Sequence, residues 1–386
     1  MILGIDASNI RAGGGLTHLA ELLRVAEPLA HGFTRVIVWA GITTLTKIED
    51  REWLSKVVAP LLGGGLPYRI FWQCFRLRKL AQQACCDVLF VPGGSDCSGF
   101  CPMVTMSQNL LPFEWREMRR YGRSLYTLKF LFLRWTQSRS FRKADGVIFL
   151  TKYARDAVLK VTGSLRGKSA IIPHGVNRRF SMPPRLQRLH ADFSEASPCR
   201  VLYVSIVSPY KHHWQVANAV ARLRAEGVPV VLELVGPPAE GLTLLKETLD
   251  RVDPDGSFIT YRGAVPYEKL DEFYGRADIG VFASSCENMP NILLEGMSAG
   301  LPMACSRMGP MPEVLGDAGV YFDPENSSDI ARALRELIDS RDLRVRLAQM
   351  AFERAQIFSW QRCAEETFAF LAAFTRIQNG IIERHV

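Results

Sequence analysis

The sequence has no apolar run long enough to cross a bilayer: its longest candidates, LKFLFLRW at 128–135 and MILGI at the start, are broken by charge well short of about 18 residues. No basic leader or small-residue cleavage site precedes the first strand-like segment, which points to the cytosol. Paired cysteine motifs are also missing. The nine cysteines (Cys74, Cys85, Cys86, Cys97, Cys101, Cys199, Cys286, Cys305 and Cys363) are odd in number and show no repeated pair spacing, so buried thiols are expected. Cys97 and Cys101 lack a nearby His or second Cys pair, and no metal site is assigned. Neither GxGxxG nor GxxxxGK[ST] occurs, which removes the fingerprints of dinucleotide-dependent oxidoreductases and P-loop enzymes.

What is present suits a globular protein. The 386 residues are 48% hydrophobic and 22% charged, more than one core accommodates, so two domains are expected. The net charge of +8 is uneven: Lys and Arg against Asp and Glu give 28 − 14 = +14 for residues 1–195 and 19 − 25 = −6 for 196–386. The densest basic block carries nine Lys or Arg between Arg116 and Lys143, opposed only by Glu117, with Trp115, Tyr121, Tyr126, Phe130, Phe132 and Trp135 interleaved. Such a block fits three settings: a solvated helix pair, a nucleic-acid groove, or a surface helix on anionic lipid, where cations meet headgroups and aromatics enter the interface. The lipid surface is the reading taken here, with no nucleic acid as partner.

In the second half, VLYVSIV (201–207), VVLELVG (230–236), SFITYRGAV (257–265), IGVFASS (279–285) and LPMACS (301–306) are short runs without polar alternation, as in strands covered on both faces. Helical stretches separate them, which predicts a parallel, Rossmann-like α/β sheet. The first half repeats the theme with ILGID (2–6), TRVIVWA (34–40), VLFVP (88–92), MVTMS (103–107), GVIFL (146–150) and SAIIPHG (169–175). The polar segment 182–200 reads as the linker, giving domains 1–195 and 196–358. Two doubly wound units in tandem bind ligands outside the carboxyl ends of their strands, in a cleft where the two face each other.

Candidate residues therefore lie at strand-to-helix turns. Gly13 to Gly15 sit in the first turn, where backbone can approach a ligand closely. Lys211 follows the strand VLYVSIV at the opening of a helix, where a cation together with free amides suits a diphosphate; a surface lysine is the plainer alternative. His212 and His213 read as solvent-facing or structural. In CENMPNILLEGMSAGLP (286–302), Glu287 falls on a loop at a strand's carboxyl end and Glu295 inside the following helix. Each carboxylate can accept a vicinal pair of hydroxyls, so a sugar and a ribose would give both a partner.

Glu287, seven intervening residues and Glu295, followed by Gly300, Leu301 and Pro302, resemble the signature of retaining nucleotide-sugar glycosyltransferases of family 4, which have the two-domain GT-B fold. The similarity takes in VVLELVG, RGAVPYEKLDEFYGRAD, GPMPEVLGDAGVYFDPEN (309–326) and IIPHGVNRRF (171–180). It implies that Glu287 and Lys211 act in catalysis, Glu287 at the transferred sugar and Lys211 on the diphosphate of a GDP- or UDP-sugar. It implies further that Glu295 binds the ribose, that Asn288, Met289, Pro290 and Asn291 line the donor, and that Gly14 and Gly15 approach it. A C-terminal helix, 359–386, is implied to pack back on the first domain. Two departures stand out: Ser205 and Ile206 replace the arginine that often accompanies the lysine, and Gln108 and Asn109 stand at the acceptor side where a His is frequent. The resemblance implies α-linkage with retention and a glycan or lipid-linked acceptor. With no Asp-x-Asp beside the phosphate turns, no metal or other cofactor is expected. A cytoplasmic protein, peripheral on an inner membrane face and similar to bacterial surface-polysaccharide enzymes, is the expectation. A non-catalytic sugar-binding scaffold and a dinucleotide-dependent oxidoreductase are the alternatives.

Overall fold

The computed structural model describes residues 1–375 and divides the chain into two compact units. One comprises Met1–Met118, Arg123–Gly175 and the chain from Ser359; the other comprises Arg119–Gly122 and Val176–Phe358. The first unit is built on a seven-stranded parallel sheet in the order β3-β2-β1-β4-β5-β6-β7. Its strands are β1 (Ile2–Asp6), β2 (Arg35–Ala40), β3 (Leu54–Val58), β4 (Val88–Val91), β5 (Met103–Met106), β6 (Gly146–Phe149) and β7 (Lys168–Ile171). The second unit carries six parallel strands in the order β10-β9-β8-β11-β12-β13. These are β8 (Cys199–Val204), β9 (Val230–Val235), β10 (Ile259–Tyr261), β11 (Ile279–Phe282), β12 (Met303–Ser306) and β13 (Gly319–Phe322). The central strands β4, β5, β6, β11 and β12 are buried at every residue, as their unbroken apolar runs demand.

Both sheets are doubly wound, and in each the strand order reverses once: between β1 and β4, and between β8 and β11. Loops leaving adjacent strands part in opposite directions at such a reversal and leave a crevice at the carboxyl ends. The edge strands β3 and β13 were not expected from the sequence. Both lie partly open to water, as an edge strand does: β3 has no buried residue, and β13 alternates between buried and half-buried positions.

Segment 182–200 is bound throughout to the second unit. Met182 N donates to Ser298 O (2.9 Å), Arg188 Nη2 reaches Asp278 Oδ2 (2.6 Å), and the buried Arg344 guanidinium donates to Ile338 O (2.7 Å) and to Arg188 O. Its polarity serves these anchors, and the change of unit falls instead at Gly175 and Val176. The Trp360–Ala372 helix belongs to the first unit and packs on the Gly13–Val25 helix; the rest of the expected 359–386 helix, beyond Thr375, lies outside the described residues. The cysteines also depart from expectation: Cys74 and Cys97 form a disulfide, and Cys85 and Cys101 are exposed thiols. A helical turn at Gln73–Leu77 and the loop after β4 bring the bonded pair together across a separation of 23 residues, which spacing alone does not reveal.

Candidate functional site

In the second unit the reversal between β8 and β11 joins two turns far apart in sequence. After β8 the chain makes a short 3-10 turn, Pro209–Lys211, passes through His212 at φ 50°, and enters the His213–Ala225 helix. After β11 it runs through Glu287 to Pro290 and enters the Asn291–Ser298 helix. Backbone and hydroxyl groups bind one turn to the other. Ser285 N donates to Tyr210 O (2.9 Å), Ser285 Oγ lies 3.0 Å from His212 Nε2, and Tyr203 OH donates to Lys211 O (2.7 Å).

Within this frame Lys211 Nζ forms an ion pair with the Glu287 carboxylate. Lys211 is only 5% exposed, so it is not a surface lysine, and its ammonium lies 5.2 and 5.3 Å from the Tyr210 and Phe282 ring centroids. Glu287 is thus engaged by the cation expected at the diphosphate. The two histidines are buried as well, which leaves the structural one of their two expected placements: His213 stacks on Tyr203 at 4.5 Å, and burial, followed by the Lys211 charge, pushes its pKa down to about 3. They wedge the turn that presents Lys211. Asn288 and Met289 are buried beside Glu287, and Asn291 opens the helix, its N–H donating to Met289 O (3.0 Å).

Glu295 lies one turn into that helix, wholly buried. Its carboxylate accepts from Tyr274 OH (3.0 Å) and Tyr267 OH (3.2 Å), and burial outweighs these bonds to push its pKa up to about 7. The Arg179 guanidinium lies over the Tyr267 ring at 3.8 Å, and Phe180 packs edge-on against both tyrosines. Tyr267, Tyr274 and Arg179 were not singled out from the sequence. The tyrosines recur seven residues apart in PYEKLDEFYGRAD, a spacing that puts both on one face of a helix and could have found them.

The first unit has its own reversal, between β1 and β4. Gly13 has φ 66°, which favours glycine, and begins the Gly13–Val25 helix, whose first turn has neither a side-chain cap nor an acidic residue. Gly15 meets Gln108: a Cβ there would fall 2.7 Å from Gln108 Oε1, so an expected donor-side glycine and an expected acceptor-side amide adjoin; Gly14 lies between Gly13 and Gly15 in the same turn. Asn109 is committed locally, its Oδ1 accepting from Leu111 N (3.2 Å). Asp6, at the end of β1, was read only as an interruption of an apolar run. It is buried, accepts from Ser8 N (2.9 Å) and Gln73 Nε2 (2.5 Å), and burial raises its pKa to about 6. An Asp-x-Asp does occur, at Asp253 and Asp255, but the Asp253 carboxylate accepts the backbone N–H groups of Ser257, Phe258 and Ile259 and closes a turn.

Residues 12–180 match the family described as Glycosyltransferase Family 4, and residues 192–354 match Glycosyl transferases group 1. The chain is 32% identical over 124 residues to O-antigen chain mannosyltransferase B of Escherichia coli, a match spanning 32% of either chain. It is 26% identical over 264 residues to D-inositol 3-phosphate glycosyltransferase of Streptomyces avermitilis, spanning 63% of this chain and 54% of that one. Less than two thirds of either relative's length is therefore matched. Among solved structures, sucrose-phosphate synthase from Thermosynechococcus elongatus aligns over 100% of both chains with a TM-score of 0.75 at 17% identity. WaaG, a glycosyltransferase involved in lipopolysaccharide biosynthesis, aligns over 96% of this chain and 99% of its own with a TM-score of 0.68 at 15% identity. Anabaena HepE, solved in complex with UDP and glucose, covers 96% of this chain and 99% of its own at 18% identity and a TM-score of 0.69. Likeness at these identities is likeness of fold. With its two halves matched in succession and both parallel sheets in the arrangement of GT-B structures, the chain belongs to the glycosyltransferases, a Family 4 half followed by a group 1 half.

Proposed function

We propose that the chain transfers a sugar from a nucleotide diphosphate donor, GDP- or UDP-linked, to a glycan acceptor on a lipid carrier or polysaccharide precursor, with retention and an α-linkage. The observation that carries this reading is the buried Lys211–Glu287 pair at the reversal between β8 and β11, with Glu295 in the helix that follows. Lys211 is positioned to exchange part of its bond to Glu287 for the donor's diphosphate, offsetting the charge that grows as the phosphate leaves. Glu287 is then released toward the sugar's hydroxyls, and Glu295 exchanges a tyrosine hydroxyl for those of the ribose. The acceptor oxygen bonds to the anomeric carbon on the face from which the phosphate departs, the bond from that carbon to the phosphate oxygen breaks, and the acceptor's proton passes to the leaving phosphate. The glutamates serve one donor along its length, unlike the two carboxylates of a hydrolase, which flank a single glycosidic bond.

Gln108, Asn109 and Asp6 are assigned to the acceptor side, and Gly14 and Gly15 to the donor's approach. The nucleotide bound by HepE supports a nucleotide-sugar donor, and the names of the Escherichia coli relative and WaaG support a polysaccharide-precursor acceptor. The basic, aromatic-rich 116–143 block suits a peripheral position on an anionic membrane surface. Thermal-shift titration with UDP-, GDP- and dTDP-sugars tests the donor site. One series is expected to raise the melting temperature of the wild type, and Lys211→Ala is expected to lose most of that rise. A rise undiminished in Lys211→Ala contradicts the assignment.

A further inference from the structure

The Leu125–Lys143 helix presents an unusual outer face. Leu131, Arg134, Trp135, Ser138, Arg139, Arg142 and Lys143 recur every three or four positions, so they share one side of the helix. With Val161 of the Lys152–Thr162 helix they wall an open groove of about 630 Å³, and no Asp or Glu lines it. The face is graded. Toward its start stand Leu128, Leu131 and Trp135, the last 62% exposed, and toward its end stand the cations. Arg142 is braced where the neighbouring helix ends, its Nε donating to Thr162 O (2.8 Å), and Arg134 Nη1 is bound to Pro112 O (3.2 Å). Arg139 and Lys143 are exposed and form no hydrogen bond or ion pair among the described residues. Ser138, which lines the same groove and is only 6% exposed, has a buried Oγ with no hydrogen-bond partner among the described residues.

We propose that this groove binds the phosphate headgroup of an anionic phospholipid, with Arg139, Arg142 and Lys143 around the phosphate and the acyl chains against Leu128, Leu131 and Trp135. The proposal rests on the membrane-surface reading above and localises it. Charge complementarity selects an anion, and the apolar end of the same face selects one attached to hydrocarbon. No described helix is long and apolar enough to cross a membrane, so this one lies along the surface, with Trp135 at the depth tryptophan favours. Arg120, earlier in the basic block, plays a different part: it belongs to the second unit and is ion-paired there with Glu325.

The test is sedimentation of the intact protein with phosphatidylcholine vesicles, with and without phosphatidylglycerol, at low and high salt. Wild type is expected to bind the anionic vesicles at least about tenfold more tightly, less so in high salt, with a blue shift of the Trp135 emission identified by difference from Trp135→Phe. Arg139→Gln with Lys143→Gln is expected to lose most of that binding. The double variant should keep the wild-type melting temperature and, with a water-soluble acceptor, the wild-type transfer rate, since both side chains are exposed and outside the donor site. Wild-type vesicle binding by the double variant overturns the groove; if Arg116→Gln with Arg119→Gln and Arg123→Gln then abolishes it, the membrane reading stands with its contact elsewhere. A wild type indifferent to phosphatidylglycerol overturns both. Binding abolished by millimolar inorganic phosphate at constant ionic strength, or by a single-stranded oligonucleotide that the protein holds more tightly than vesicles, also overturns the lipid assignment.

Discussion

Lys211 and Glu287 are 76 residues apart in the chain and joined in the fold. Because both are largely buried, removing one leaves the other charged without its partner, so Lys211→Met is expected to destabilise the protein by about 3 kcal/mol and Lys211→Met with Glu287→Gln by less. A double-mutant cycle by urea unfolding measures this, and additive losses contradict the coupling. Glu295 makes a pH-dependent prediction. Its folded-state pKa of about 7 lies above the ordinary 4.5, so the folded protein holds a proton that the unfolded chain releases. That contribution to stability is complete below about pH 4.5 and is lost as pH rises through 7. Glu295→Gln is therefore expected to flatten the fall in stability between those limits, by up to about 3 kcal/mol. Identical pH profiles for the variant and the wild type sink the assignment. The sequence made Lys211, Glu287 and Glu295 visible because each falls beside a legible strand or helix boundary. It hid their partners, because which side chain meets Lys211 depends on β8 lying next to β11, a long-range fact.

At the scale of elements, the unbroken apolar runs announced eleven strands of the thirteen, and the two they missed, β3 and β13, are two of the four edge strands. An edge strand has one neighbour and partial exposure, so its residues carry a weaker pattern. The 182–200 segment misled for a related reason: a chain that packs through arginines and carbonyls has the composition of a linker. Gly300, which ends the Asn291–Ser298 helix, shows how tightly that segment is held. Its φ is 63°, and a Cβ there would fall 2.7 Å from Met182 O and Pro184 N. Gly300→Ala is expected to cost about 2 kcal/mol or more and to lower the melting temperature by several degrees, because neither backbone can yield cheaply. An unchanged melting temperature contradicts the close packing of 182–184 on this helix.

For the whole molecule, the charge division read from composition matches the proposed division of labour: a basic first half with the proposed lipid-binding groove, and an acidic second half that keeps the Lys211 cation buried in the proposed donor site. These predict opposite salt responses. Donor binding at the buried pair should change little between low and moderate salt, whereas association with anionic vesicles should weaken steeply. The account depends most on Glu287 serving a reacting sugar. Sugar transfer and nucleotide release from the donor that stabilises the wild type should therefore be measured side by side for wild type and Glu287→Ala, with nuclear magnetic resonance reading the anomeric configuration of the product. The account predicts an α-linked product with the donor's configuration and a rate lower by about a hundredfold or more in Glu287→Ala. An inverted product, or a variant that turns over like wild type, contradicts it.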